Sequence, residues 1–113
     1  MHELGITEDL LTHVLEHAAE AGVKRVTLVN LGLGEMSSIE PESIRLCFEH
    51  ASRGTIAQDA KLVFRNMETQ VRCRHCGTVF SQLGEPCPQC QQLSQEVLSG
   101  HDFYLESIEG ETD

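Results

Sequence analysis

Two groups of residues in this sequence have the types and spacing to hold metal ions, and they lie far apart along the chain. The first is Cys73-Arg74-His75-Cys76, followed after residues 77–86 by Cys87-Pro88-Gln89-Cys90. Each Cys-x-x-Cys pair can set two sulfurs on one side of an ion, and a hairpin between them brings the pairs face to face. Four thiolates at tetrahedral corners suit Zn(2+), a closed-shell ion that takes sulfur readily and imposes little geometry of its own. His75 lies inside the first pair. It reads as a solvent-facing knuckle residue, with transient replacement of a thiolate or a response to pH as the sharper alternatives.

The second group is the opening Met1-His2-Glu3. An amine, a deprotonated amide and an imidazole can close adjoining chelate rings in one plane. Nitrogen-rich planar sites select Ni(2+) or Cu(2+) over the tetrahedral preference of zinc. Glu3 or a water would complete the fourth position. His13 and His17, spaced i and i+4, could chelate a transition metal weakly, and the plainer reading is a solvated helix face.

The elements that must carry these residues follow from hydrophobic spacing. Leu4, Leu11, Val14, Leu15 and Ala18 recur at helical intervals from Leu4 to about Ala21, with Leu10 at the margin of that face. His13, Glu16, His17 and Glu20 fall opposite, and Gly22 ends the helix. Val23 to Leu33 reads as a strand apolar on both parities, the mark of an interior position. Gly32 and Gly34 are expected to let the chain turn into a loop over residues 35–39. Pro41 opens a second helix, with Ile44, Cys47, Phe48 and Ala51 as its apolar stripe, Cys47 as a small buried hydrophobe, and Gly54 at its close.

Ala60 to Met67 makes a second strand. Residues 69–72 lead into the cysteine hairpin, 91–95 are irregular, 103–108 form a last strand, and 110–113 an acidic tail. The expected fold class is α/β (α+β). Two helices lie on a small three-stranded mixed sheet, with an inserted zinc-ribbon-like four-cysteine hairpin. The expected domains are residues 1–68 plus 98–113, and 69–97. The strand–helix–strand step through Pro41 favours a right-handed crossover. Val71, Val79, Phe80 and Leu83 are too few to fold the hairpin alone, so metal is expected to supply its stability.

Bulk properties exclude several functions. Lys and Arg total 8 against 18 Asp and Glu, a formal net charge of -10. That balance repels phosphate backbones and anionic membranes. No Trp, one Tyr and four Phe leave little for base stacking. A zinc-ribbon protein- or nucleic-acid-binding module without nickel transfer is therefore the alternative, not the first reading. A redox protein with iron on the four cysteines is a further rival, and its red colour would declare it. A hydrolase has little support, because four thiolates leave zinc no open position. No signal peptide or membrane span is evident. The metal-type spacing plus the spare Cys47 fits a reducing cytoplasm.

Taken together, Met1-His2-Glu3-Leu4, Gly32-x-Gly34-Glu35, the run from Glu40 to Phe48-Glu49 and the two cysteine pairs resemble the HypA/HybF family over essentially the whole chain. These are nickel metallochaperones of nickel–iron hydrogenase maturation. The resemblance implies a nickel-binding domain of mixed α/β structure with an inserted zinc-binding domain. It implies nickel held at the extreme N-terminus by His2, with Glu3 and the Met1 amine in the same site, and Glu40 as a further ligand or neighbour. Some relatives have histidines flanking the cysteine pairs that couple the two metal sites; here His75 lies within the first pair and none follows Cys90 until His101, so the resemblance does not carry such coupling over to this sequence. The implied role is a carrier, not an enzyme. Its implied partners are the maturation GTPase HypB and the hydrogenase large subunit precursor, and it is expected to be a monomer or weak homodimer.

Overall fold

A computed structural model of the chain describes residues 2–112, with side chains from Glu3 onward. Eight elements run in the order α1 (His2–Ala21), β1 (Arg25–Gly34), α2 (Pro41–Ala51), β2 (Lys61–Met67), β3 (Gln70–Cys73), β4 (Val79–Phe80), β5 (Gln95–Ser99) and β6 (Phe103–Glu111). They form two three-stranded sheets, ordered β2-β1-β6 and β4-β3-β5. The chain divides into two compact units. One comprises residues 1–32, 39–65 and 103–113; the other comprises 33–38 and 66–102.

In the first unit β1 is the central strand, as its apolar character on both faces predicts. Pairs such as Lys24 N–H to the Glu111 carbonyl at 2.6 Å, and Asn30 Nδ2 to Ser107 Oγ at 2.9 Å, show β6 running antiparallel to β1. Val26, Val29 and Leu31 of β1, with Leu62 of β2, meet Leu10, Val14 and Ala18 of α1 and Ile44 and Phe48 of α2 in one apolar core. Burying side chains of that size contributes roughly 1.5–3 kcal/mol each before entropy is set against it.

The buried stripe of α1 is Thr7, Leu10, Val14 and Ala18. Leu10 is therefore central rather than marginal, and Leu4 is 50% exposed. Thr7 can occupy a core position because its hydroxyl donates to the Glu3 carbonyl one turn back, leaving no unsatisfied polar atom. The helix ends at Gly22 (φ 72°). Gly22 N–H donates to the Ala19 carbonyl and Val23 N–H to the Ala18 carbonyl, the paired bonds of a Schellman cap. On α2 the buried positions are Ile44 and Phe48, while Cys47 is only half-buried. It faces a shallow surface groove with Glu3, Leu4, Ser43 and Leu46.

Gly32 and Gly34 do not turn the chain; both lie inside β1. A Cβ on Gly32 would stand 2.7 Å from the Tyr104 ring, so the missing side chain lets that ring lie across the central strand. Tyr104 then reaches Arg65 of β2, which also pairs with Glu106 of β6. The two outer strands are thereby tied over the middle one. The 110–113 segment is not simply a tail either, because β6 continues to Glu111. Ladder bonds to β1 use backbone atoms, and the glutamate side chains remain in solvent.

In the second unit β3 pairs antiparallel with both β4 and β5, Val71 lying opposite Phe80 on one side and Val97 on the other. β3 falls in the stretch expected only to lead into the hairpin, and β5 begins at the last residue of the stretch expected to be irregular. The turn after β1 belongs to this unit: Gly34 N–H donates to the Asp102 carbonyl and Met36 N–H to the Gly100 carbonyl. A Cβ on Gly34 would lie 2.2 Å from the Gly100 carbonyl oxygen, which explains the second glycine. The core of this unit is small: Val71, Cys73, Phe80 and Cys87, with Cys90 packed against them.

Candidate metal centre

Both Cys-x-x-Cys segments fold into the same knuckle. In the first, Cys73 N–H donates to the Thr78 carbonyl at 2.8 Å and Gly77 N–H to the Cys73 carbonyl at 2.9 Å. In the second, Cys87 N–H donates to Gln92 at 2.9 Å and Gln91 N–H to Cys87 at 2.8 Å. Each turn also points a backbone N–H at its leading sulfur, from Cys76 to Cys73 Sγ and from Gln89 to Cys87 Sγ. Such donors favour thiolate over thiol. The left-handed position after each pair is Gly77 (φ 81°) in one knuckle and Gln91 (φ 69°) in the other.

The knuckles bring all four sulfurs within 4.8 Å of one another. Cys73 Sγ lies 3.5 Å from Cys90 Sγ, and Cys76 Sγ lies 3.6 Å from Cys87 Sγ. A tetrahedron with metal–sulfur bonds of about 2.3 Å has edges of about 3.8 Å. The donor set and its spacing therefore fit one tetrahedral ion, and these residues form a four-cysteine metal site. Among the described residues, no other group of three or more His, Cys, Asp or Glu donors is gathered in this way.

Cys76, Cys87 and Cys90 sit in different electrostatic surroundings. The Thr78 hydroxyl, 3.1 Å from Cys76 Sγ, and the Thr78 N–H pull the Cys76 thiol down to about 6. For Cys87 the cost of desolvation is outweighed by the N–H groups of Cys90 and Gln89, and its thiol is lowered. For Cys90 the Gln92 N–H favours the thiolate, yet burial and the surrounding cysteine sulfurs together push the thiol up to about 12. Four sulfurs this close cannot all ionise cheaply by themselves. A divalent cation among them removes that conflict. Thr78 is a contributor that spacing arguments over cysteines miss, although a hydroxyl two residues after Cys76 is its signal.

The other expected site residues are dispersed or lie outside the description. Met1 and the side chain of His2 are outside the described residues. Glu3 is half-buried in the first turn of α1. Glu40 is exposed at the N-cap of α2 and makes no side-chain capping bond. His75 is exposed on the first knuckle, as expected. His13 and His17 are exposed on α1. No helix among the described residues is long and apolar enough to cross a membrane.

Comparison with known proteins agrees with this architecture. The hydrogenase maturation factor HypA of Dehalococcoides mccartyi is 40% identical over 111 residues, covering 96% of this chain and 93% of its own. The solution structure of the nickel metallochaperone HypA from Helicobacter pylori superposes with a TM-score of 0.75 at 22% identity, covering 98% of both chains. A second HypA solution structure gives 0.80 at 24% identity, over 100% of this chain and 98% of the other. At such identities the structural likeness is one of fold. The family model for HypA, described as hydrogenase/urease nickel incorporation metallochaperone, matches residues 1–110. An α/β unit built on a two-helix layer, a four-cysteine centre and a family match over nearly the whole length thus converge, and the chain belongs to the HypA family of metallochaperones.

Proposed function

We propose that the protein is a nickel metallochaperone that binds Ni(2+) at its N-terminus and delivers it to the apo large subunit during nickel–iron hydrogenase maturation. The observation that carries this reading is the HypA family match from residue 1 to residue 110, which includes the Met1-His2-Glu3 opening. In this reading the Met1 amine, the His2 imidazole and backbone nitrogen, and Glu3 hold the ion. Few bonds cage a chain end, so the cargo stays exchangeable. Residues 1–68 plus 98–113 serve as the nickel-binding domain, and residues 69–97 as the zinc-binding domain. Cys73, Cys76, Cys87 and Cys90 hold Zn(2+) as a structural ion. Bound there, the ion supplies charge neutralisation and a cross-link, and its closed shell of four thiolates gives no catalytic position.

The protein acts as a carrier and not an enzyme, in the cytoplasm, as a monomer or weak homodimer. HypB and the hydrogenase large subunit precursor are its partners. Nickel affinity should fall as pH drops and protons compete for the amine and imidazole. The deciding experiment is a Ni(2+) titration of untagged His2→Ala protein. The tight nickel site should be lost while zinc content stays near one per chain. Persistence of tight nickel binding would overturn the N-terminal assignment. Residues added before Met1 should do similar damage by removing the free amine.

A further inference from the structure

We propose that His13 and His17 form a second, solvent-open chelate for a divalent ion of the Ni(2+), Cu(2+) or Zn(2+) class, with Glu16 as its neighbouring carboxylate. The rotation of α1 is fixed by the buried stripe Thr7, Leu10, Val14 and Ala18. This leaves His13, Glu16 and His17 exposed, with His13 and His17 on the flank of α1 that borders β6. Positions i and i+4 on a helix stand about 5–6 Å apart at Cβ. Two imidazoles at that spacing can converge on one ion at about 2.0–2.1 Å from each nitrogen, as paired histidines on metal-binding helices do. The order His13-Val14-Leu15-Glu16-His17 is the H-x-x-E-H pattern of one class of zinc-binding helix.

The local geometry favours a chelate without caging it. His13 Nδ1 lies 3.7 Å from Glu16 Oε1, with both side chains about two-thirds exposed, at 66% and 64%. That distance is too long for a hydrogen bond, so the carboxylate does not take up the ring nitrogen that would face an ion. Asp9 borders the groove beside His13, and Glu106 the groove beside His17. The formal charge of -10 further concentrates cations at the surface. No third donor is gathered around the pair, since the four cysteines alone form such a group among the described residues. Water therefore fills the remaining positions, and the ion exchanges readily. The helix carries the site whether or not the N-terminus holds nickel.

The test is a titration of the full-length, zinc-loaded protein with Ni(2+) alone, followed by NMR of the imidazole resonances. Four proteins are compared: unaltered, His2→Ala, His13→Gln/His17→Gln, and His17→Gln. Selective perturbation of His13 and His17 should appear in the unaltered and His2→Ala proteins, at higher nickel than saturates the tight site. In His17→Gln the perturbation at His13 should need roughly tenfold more nickel or beyond, because the second ligand no longer acts intramolecularly. The double variant should keep the tight site. Equal, unselective perturbation of His50, His75, His101 and the pair would overturn the proposal, as would an unchanged His13 response in His17→Gln. Loss of the tight site in the double variant but not in His2→Ala would instead make the helix pair the principal site and refute the N-terminal reading.

Discussion

The two units solve the problem of stability by different means. Among the described residues, the first unites nine buried side chains from its two helices and sheet with Ala57 from the turn before β2, Phe48, Leu31 and Ile44 being the largest. The second has four, Val71, Cys73, Phe80 and Cys87, and two of these are metal-binding cysteines. Side chains that would be core hydrophobes in one unit are ligands in the other. A core so small is below what a fold of this size normally requires without a cross-link or metal. The lesson is that a four-cysteine site stands where the other unit has a hydrophobic core, and on the proposed reading its ion is structural for that reason.

That contrast can be broken at several points. Stripping the metal with a chelator, or replacing Cys73 by Ser, should have the largest effect. Structural zinc contributes apparent binding energies of about 10–16 kcal/mol in small zinc-finger peptides. Amide exchange in residues 70–99 should lose protection while α1 and β1 keep theirs; unfolding of both units together would refute the division of labour. Phe48→Ala is the mirror case. It should cost the first unit about 3–5 kcal/mol, seen as a lowered thermal midpoint, with metal content unchanged.

A smaller effect sharpens the comparison within the cysteine centre. The two knuckles share their hydrogen bonds but differ at the left-handed position, Gly77 against Gln91. Gly77→Ala should destabilise by about 1 kcal/mol, whereas Gln91→Gly should be neutral or stabilising by up to about 1 kcal/mol. Chelator competition would read both.

The smallest effect concerns Glu35. The Thr69 N–H donates to its carboxylate at 2.9 Å and holds its pKa below the usual value. A carboxylate lowered in the folded state contributes its stability fully above the unfolded value and loses it as pH falls through the folded value. The difference in stability between the native protein and Glu35→Gln should therefore shrink on acidification, as acid titration of both would show.

The helices and the central position of β1 were legible because apolar spacing over 10–20 residues is a strong signal. The cysteine centre was legible because four spaced residues must agree. What was not legible depended on partners distant in sequence. Gly32 and Gly34 look like turn residues until the Tyr104 ring and the Gly100 carbonyl are seen against them. Thr7 looks polar and peripheral until its bond to the Glu3 carbonyl lets it be buried. Cys47 fitted an apolar stripe, but burial centres on Ile44 and Phe48 and leaves it facing a groove. The short β3 and β5 strands carry Gln, Arg and Glu, and only their ladder with each other identifies them.

The antiparallel pairing of β1 with β6 has a consequence for biosynthesis. Thr27 bonds to Glu109 and Asn30 to Ser107, contacts spanning 82 and 77 residues. On the ribosome, β1 and both helices emerge well before β6, which follows only after the whole cysteine segment has been made. One edge of the central strand must therefore wait unpaired through that interval. At about 5–20 residues per second the delay is several seconds, long compared with local helix formation.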